Sequence, residues 1–361
     1  MDNEMREKSR EMTEQALFEL DGYSRYRFSD HLGRFFKRLT GRKVPPCDRI
    51  SWPTGLLANA LLAYYQNHLN LEISLVIKQA LIKYYRRFID SRQKILSLEN
   101  MVAGYTLIDI HQITGDEQFK LVLDEMVKFL KRHAVDSEGS LPYRPAQNDM
   151  HIYAEGIGKM CPFLCKYGHT YEDPSAISLA VKQIKNFFEN GMDSNTGLPY
   201  HGYEYKSHVK HGIIGWGQAC GWLMIGLVDS LIHMGKDHPD YDELKQYFRR
   251  LVDKVEAYQR EDSFYPWQLP AKEGSFDVSA TAMILYAIAR GIEHEILIGI
   301  HRSRLLRGRD ALVQIVDHGK LYHSLTESGG FGIYPPKYDA YPWSLGPALS
   351  LFSINIRVMK E

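Results

Sequence analysis

From Pro53 onward the sequence alternates segments that are apolar on every face with segments that carry a single apolar stripe. The first kind includes Leu56 to Tyr65, Gly221 to Met234 and Val278 to Ile292. A helix without a polar side must be covered all round. In the second kind, Pro174 to Asn190, Ile177, Val181, Ile184 and Phe188 recur at spacings of three and four, while Lys182, Lys185 and Asn186 take the other side. Such a helix covers a neighbour with one face and meets water with the other.

The segments pair as 53–68 with 72–89, 99–114 with 116–133, 153–168 with 174–190, 215–234 with 239–259, and 277–294 with 302–317. A final helix over 342–359 is left with the amino-terminal helix, about 5–20, as its partner. Six such pairs and no strand-rich half predict an all-α fold, an (α/α)6 toroid with a buried inner ring inside an amphipathic outer one. The expectation is a single domain over 1–361, with the helical segment 1–50 packing on the barrel or closing it. Thr114-Gly115-Asp116 and Tyr167-Gly168 read as turns within the second and third pairs.

Two connections repeat one another. Asp136 to Tyr143 (DSEGSLPY) follows the second pair and Asp193 to Tyr200 (DSNTGLPY) follows the third, each reading as a turn and then a short extended segment. Aromatic and proline-rich stretches also precede inner helices at Phe264 to Trp267 and Tyr341 to Trp343. All of these gather at one end of a ring whose inner helices run the same way.

Composition narrows the partners. Lys and Arg together number 44 and so do Asp and Glu, so the chain has no cationic surplus for phosphate backbones or anionic lipid. Nucleic acid and membrane are not expected partners. Met1 to Arg10 contain no apolar run fit for a signal, and no stretch approaches the ~18 apolar residues that span a bilayer. The expectation is a cytoplasmic protein, unless a leader has been trimmed from the chain. Cys47, Cys161, Cys165 and Cys220 form no CxxC pair and no metal spacing, so they read as buried reduced thiols, with no metal or cofactor expected.

At the mouth formed by the inner helices' amino termini, the sequence places Trp52, Glu99, Glu155, Trp216, Gln218, Trp222, Asp277 and Trp343. Tyr143, Tyr200, Tyr203 and Tyr341 lie on the loops leading there. Aromatic planes stack on the apolar face of a pyranose while polar groups take its hydroxyls, so this set points to a sugar site. Glu99 and Glu155 are the carboxylates placed for acid and base work. A carboxyl at the start of so apolar a helix is either a solvated helix-dipole partner or a buried group with a raised pKa, as suits a general acid. His201, directly after the second octapeptide, is placed to bind a sugar hydroxyl or carboxylate.

The run from Leu98-Glu99-Asn100 to Thr114-Gly115-Asp116, Glu155 to Gly168, Gly197 to Gly202, Trp216-Gly217-Gln218-Ala219-Cys220-Gly221-Trp222, Asp277 to Met283 and Tyr341 to Ala348 come in an order that resembles the unsaturated glucuronyl and unsaturated rhamnogalacturonyl hydrolases from about residue 50 to the end. The resemblance implies the (α/α)6 barrel and hydrolysis of lyase products without metal or cofactor. It implies that an acid protonates C4 of a 4,5-unsaturated uronyl residue, that water adds at C5, and that the hemiketal opens to release the neighbouring sugar. The donor position falls on Glu155, a second acid on Glu99 and a substrate-binding histidine on His201, with Trp216 and Trp222 lining the subsite. Both acidic positions are usually Asp in those families, and Gln218 stands where they usually carry arginine. The charge for a uronate would then come from another residue, such as Arg144 or Lys206, or the sugar is neutral.

Three readings share these residues. They are hydrolysis of an unsaturated uronyl oligosaccharide, ordinary glycoside hydrolysis by Glu99 and Glu155, and a sugar-binding or polysaccharide-assembly protein that kept the barrel without the chemistry.

Overall fold

The computed structural model describes residues 3–24, 50–69, 72–133, 139–144 and 150–355. Among the described residues are twelve α-helices: α1 (Asn3–Ser24), α2 (Trp52–Asn67), α3 (Glu72–Asp90), α4 (Met101–Thr114), α5 (Glu117–Arg132), α6 (Ala154–Thr170), α7 (Pro174–Asn190), α8 (Gly217–Met234), α9 (Tyr241–Glu256), α10 (Val278–Glu293), α11 (Arg302–Gln314) and α12 (Pro342–Ser353). Local chemistry sets several starts. Asp116, Asp173 and Asp277 each accept backbone N–H groups from the first turn of α5, α7 and α10, and Pro174 follows its cap directly.

The apolar helices form a closed ring. α2 packs on α4, α4 on α6, α6 on α8, α8 on α10, α10 on α12, and α12 back on α2. Every residue of α6 from Ala154 to Gly168 is buried, as is all of α12. The amphipathic helices lie outside, each on its sequence neighbour, as α9 does by burying Tyr241, Leu244, Phe248, Leu251 and Val255 against α8. α1 packs on both α12 and α2, which completes the sixth pair. The (α/α)6 toroid expected from the alternation is therefore the fold.

Several boundaries shift from expectation. α12 ends at Ser353, short of 359. Tyr167 and Gly168 are not a turn but belong to the last turn of α6; a side chain at 168 would strike Ile177 and the Asp173 carbonyl, so this glycine lets α7 approach α6. Gly115 does end its helix, in the left-handed conformation with φ of 65°. The expected segment 1–50 lies outside the described residues from 25 to 49, and with it Cys47. Cys161, Cys165 and Cys220 are free and buried.

At the amino-terminal end of the inner ring, β1 (His151–Tyr153), β2 (Gly202–Glu204) and β3 (Lys210–His211) form a three-stranded antiparallel sheet in the order β1-β2-β3. β4 (Ser324–Leu325) pairs with β5 (Tyr338–Asp339) beside it. Gly139 and Gly197, one from each octapeptide, both adopt φ of 72°, a value that favours glycine. Further along the barrel, toward the carboxyl ends of the inner helices, a second cavity is lined by ion-paired groups. Lys166 is bonded to Asp109 there, and Arg290 lies beside Glu293 and reaches Asp229.

Candidate functional site

The register of β1 and β2 builds the centre of the site. Tyr153 pairs with Gly202, and the Ala154 N–H donates to the His201 carbonyl, so the end of the second octapeptide lies against the first residues of α6. Glu155 and His201, 46 positions apart in the chain, are thereby in contact, with His201 Nε2 3.1 Å from Glu155 Oε1. His201 is fully buried and Glu155 is 7% exposed. The other imidazole nitrogen, Nδ1, is 2.7 Å from the Tyr334 hydroxyl, which also accepts the Ile213 N–H. The Trp216 ring lies 4.6 Å from the imidazole.

Glu155 lines an open cleft together with Trp52, Glu99, Tyr143, Arg144, Lys159, Trp216, Gln218 and Trp222. Burial pushes the Glu155 carboxyl upward, but the charge and hydrogen bond of His201, with help from Lys159, outweigh it and hold the group below the usual carboxylate range. The expected raised pKa is therefore corrected: the group is buried as anticipated, yet it is held as the anion by its neighbours. An anionic acceptor places the hydrogen on His201 Nε2. Glu155 Oε2 and Trp216 Nε1 are buried without a hydrogen-bond partner.

Across the cleft, Glu99 lies in a short 3-10 turn, Leu98–Asn100, ahead of α4. Its Oε1 accepts from Arg144 at 2.6 Å and from the Tyr143 hydroxyl at 3.1 Å. Tyr143 in turn accepts from Lys159 Nζ. Burial, then the nearby Glu99 and Glu155, hold the Tyr143 phenol well above its ordinary range. Lys159 is 4% exposed, and burial holds its ammonium below its ordinary range against the pull of Glu99, Glu155 and Glu327.

The nine residues singled out as catalytic or sugar-binding separate into lining and supporting groups. Trp52, Glu99, Glu155, Trp216, Gln218 and Trp222 line the cleft. Trp343 stands behind, tilted against Trp52 at 4.9 Å with its indole N–H donated to the Leu325 carbonyl. His201 is not among the lining residues; it stands behind the wall with its Nε2 on Glu155. Tyr200 is not among the lining residues; its ring faces Lys210. Gln218 turns its amide nitrogen away to Asp277, Ser279 and the Leu325 carbonyl. Of the two proposed sources of positive charge, Arg144 is at the cleft and Lys206 lies over Tyr205 instead.

Lys159 and Glu327 are the charged lining groups that sequence reasoning missed, along with Tyr153, Ser328 and Gly330. Lys159 carried a signal: it is the one charged residue between Glu155 and Cys165, and it follows Glu155 by four positions, one helical turn. Glu327 lies in a loop and carried none. Among the described residues, no group of three or more His, Cys, Asp and Glu is arranged to hold a metal ion, and no helix is long and apolar enough to cross a membrane.

A six-pair toroid with a carboxylate and tryptophan cleft at the inner helices' amino termini is the architecture of a carbohydrate-active barrel protein. Residues 30–357 match Glycosyl Hydrolase Family 88, and the chain belongs to that family. It is 23% identical over 198 residues to the unsaturated rhamnogalacturonyl hydrolase YesR of Bacillus subtilis, a match that covers 54% of this chain and only 58% of the relative. A possible GH105-family protein from Klebsiella pneumoniae superposes with a TM-score of 0.86 at 16% identity, covering 99% of this chain and 94% of the other. The unsaturated glucuronyl hydrolase of a Bacillus species superposes at 0.69 with 15% identity over 96% and 98% of the two chains. At these identities the structural likeness is one of fold.

Proposed function

We propose that the protein hydrolyses unsaturated uronyl oligosaccharides, with the Glu155–His201 pair as the proton source. The observation that carries this reading is the buried 3.1 Å contact between the two side chains at the wall of an aromatic cleft. The pair carries the proton as imidazolium and carboxylate; its transfer from His201 Nε2 to Glu155 leaves a neutral imidazole, and the neutral-acid form of Glu155 is the donor. Glu155 gives that proton to C4 of the C4=C5 double bond, leaving positive charge shared by C5 and the ring oxygen. Water then attacks C5 and returns a proton to the Glu155 carboxylate, which restores the pair. The C5 hemiketal opens and the neighbouring sugar leaves. Oε2 has no hydrogen-bond partner and is the carboxyl oxygen not engaged by His201.

Trp52, Trp216 and Trp222 offer planes for the sugar ring. Glu99, held by Arg144 and Tyr143, orders the opposite wall. The same two contacts occupy Glu99 in a way that suits support better than nucleophilic attack, and this favours hydration over ordinary glycoside hydrolysis.

The test is incubation with a panel of 4,5-unsaturated uronyl disaccharides, following loss of the ultraviolet absorbance of the conjugated double bond. Loss with wild type, reduced about 100-fold or more in Glu155→Gln, supports the reading. No loss on any member of the panel overturns it.

A further inference from the structure

A buried ammonium ion is costly unless a counter-ion accompanies it. Lys159 is such a group. Its Nζ lies 4.7 Å from the Trp52 ring centre, 4.8 Å from that of Tyr143 and 5.4 Å from that of Trp222. Its hydrogen bond is to the Tyr143 hydroxyl, a neutral partner. The aromatic faces offset part of the charge. Among the described residues no carboxylate stands within 4.0 Å of it, although the i,i+4 spacing puts it on the same face of α6 as Glu155.

The carboxylates that could have paired with it are turned elsewhere. Glu155 is held by His201 and Glu99 by Arg144, and Glu327, also lining the cleft, remains beyond ion-pair distance. The cleft therefore contains one buried cation with unused donor capacity, walled by two tryptophans suited to a sugar ring. Gln218, at the position where the resemblance would put an arginine, is neutral and donates its amide N–H groups to Asp277 and its surroundings.

We propose that Lys159 is the specificity-determining residue that receives the carboxylate of an anionic sugar, seated between Trp52 and Trp222. This rests on the reading of the cleft as a uronide site, and it adds the residue that selects acid over neutral sugar. The ligand carboxylate supplies the missing counter-ion, and the ammonium keeps its bond to Tyr143.

The experiment separates binding from chemistry. Binding of sodium D-glucuronate, its methyl ester and D-glucose is measured by titration calorimetry and by the fluorescence of the neighbouring tryptophans, in wild type, Lys159→Met and Lys159→Arg. Wild type is expected to prefer glucuronate over both neutral sugars by about 30-fold or more. Lys159→Met is expected to bind all three alike, and Lys159→Arg to recover part of the preference. With an unsaturated disaccharide, the loss in Lys159→Met should appear chiefly in KM. Equal binding of glucuronate and its ester by wild type overturns the proposal whether or not any variant folds, as does a preference that survives in folded Lys159→Met. A Lys159-dependent preference without any hydration of unsaturated substrates leaves the proposal standing and removes the reaction proposed above.

Discussion

Gly158 of α6 and Trp222 of α8 meet backbone to side chain and backbone to backbone, so closely that a methyl group at 158 would come 2.3 Å from the Trp222 carbonyl oxygen. Gly226, one turn further along α8, packs back on Gly158, with 3.0 Å left between an added Cβ and the Gly158 nitrogen. The two helices that carry Glu155, Lys159 and Trp222 are thus set at a spacing only glycine permits. Gly158→Ala must push them apart. The expected cost is about 1–3 kcal/mol of stability, read as a lower Tm, with reduced activity because Lys159 and Trp222 move with their helices. An unchanged Tm would show that the crossing yields freely.

Tyr143 joins the two polar halves of one cleft wall, donating to Glu99 and accepting from Lys159. Tyr143→Phe keeps the ring against Lys159 and removes only the hydroxyl. Hydrogen bonds to charged groups contribute about 1.5–3 kcal/mol, so kcat/KM on an unsaturated disaccharide should fall about 10- to 100-fold. Tm should fall as well, since the buried Lys159 ammonium loses its hydrogen-bond partner although the ring's packing remains. A variant with wild-type kcat/KM would mean that this link does not order the site.

The alternation of helix types was enough to read the ring, because closure follows from which faces must be buried. The cleft was legible where chemistry and position coincided, as for Glu155 at the head of an apolar segment and the tryptophans at the helix entries. Its wiring was not. His201 reaches Glu155 through the pairing of Tyr153 with Gly202, a contact between distant strands that no local spacing announces. The same strand geometry explains Tyr200: successive residues of an extended segment point to opposite sides, so with His201 turned inward Tyr200 faces Lys210. Lys159 is hidden in sequence by the apolar run around it, and Gly168 has the look of a turn residue although it serves helix packing.

The Glu155 carboxyl lies below its ordinary range in the folded protein, through His201 and Lys159 acting against burial. A carboxylate of that kind stabilises the fold fully above its unfolded pKa, about 4.3, and the contribution is lost as pH falls through the depressed folded value. Tm measured from pH 6 down to pH 3 should therefore fall in wild type, and Glu155→Gln should lack that share of the decline. Parallel curves for the two proteins would contradict the direction of the shift.

A second histidine and glutamate pair has the opposite pH signature. His301, just ahead of α11, places Nδ1 2.7 Å from Glu256 Oε2 at the end of α9, and both residues are buried. The hydrogen bond to Glu256 holds the imidazole above its ordinary pKa, against the effect of burial. A raised histidine contributes fully below its unfolded pKa, about 6.5, and the contribution is lost as pH rises through the higher folded value. Wild-type Tm should decline from pH 6 toward pH 9 for this reason. His301→Gln keeps a hydrogen-bond donor without the charge, so it should be less stable by about 1 kcal/mol at pH 6 and should converge on wild type at high pH. Because His301 and Glu256 lie outside the cleft, the variant should retain wild-type kcat/KM at pH 6, which separates this pair from the one formed by His201 and Glu155.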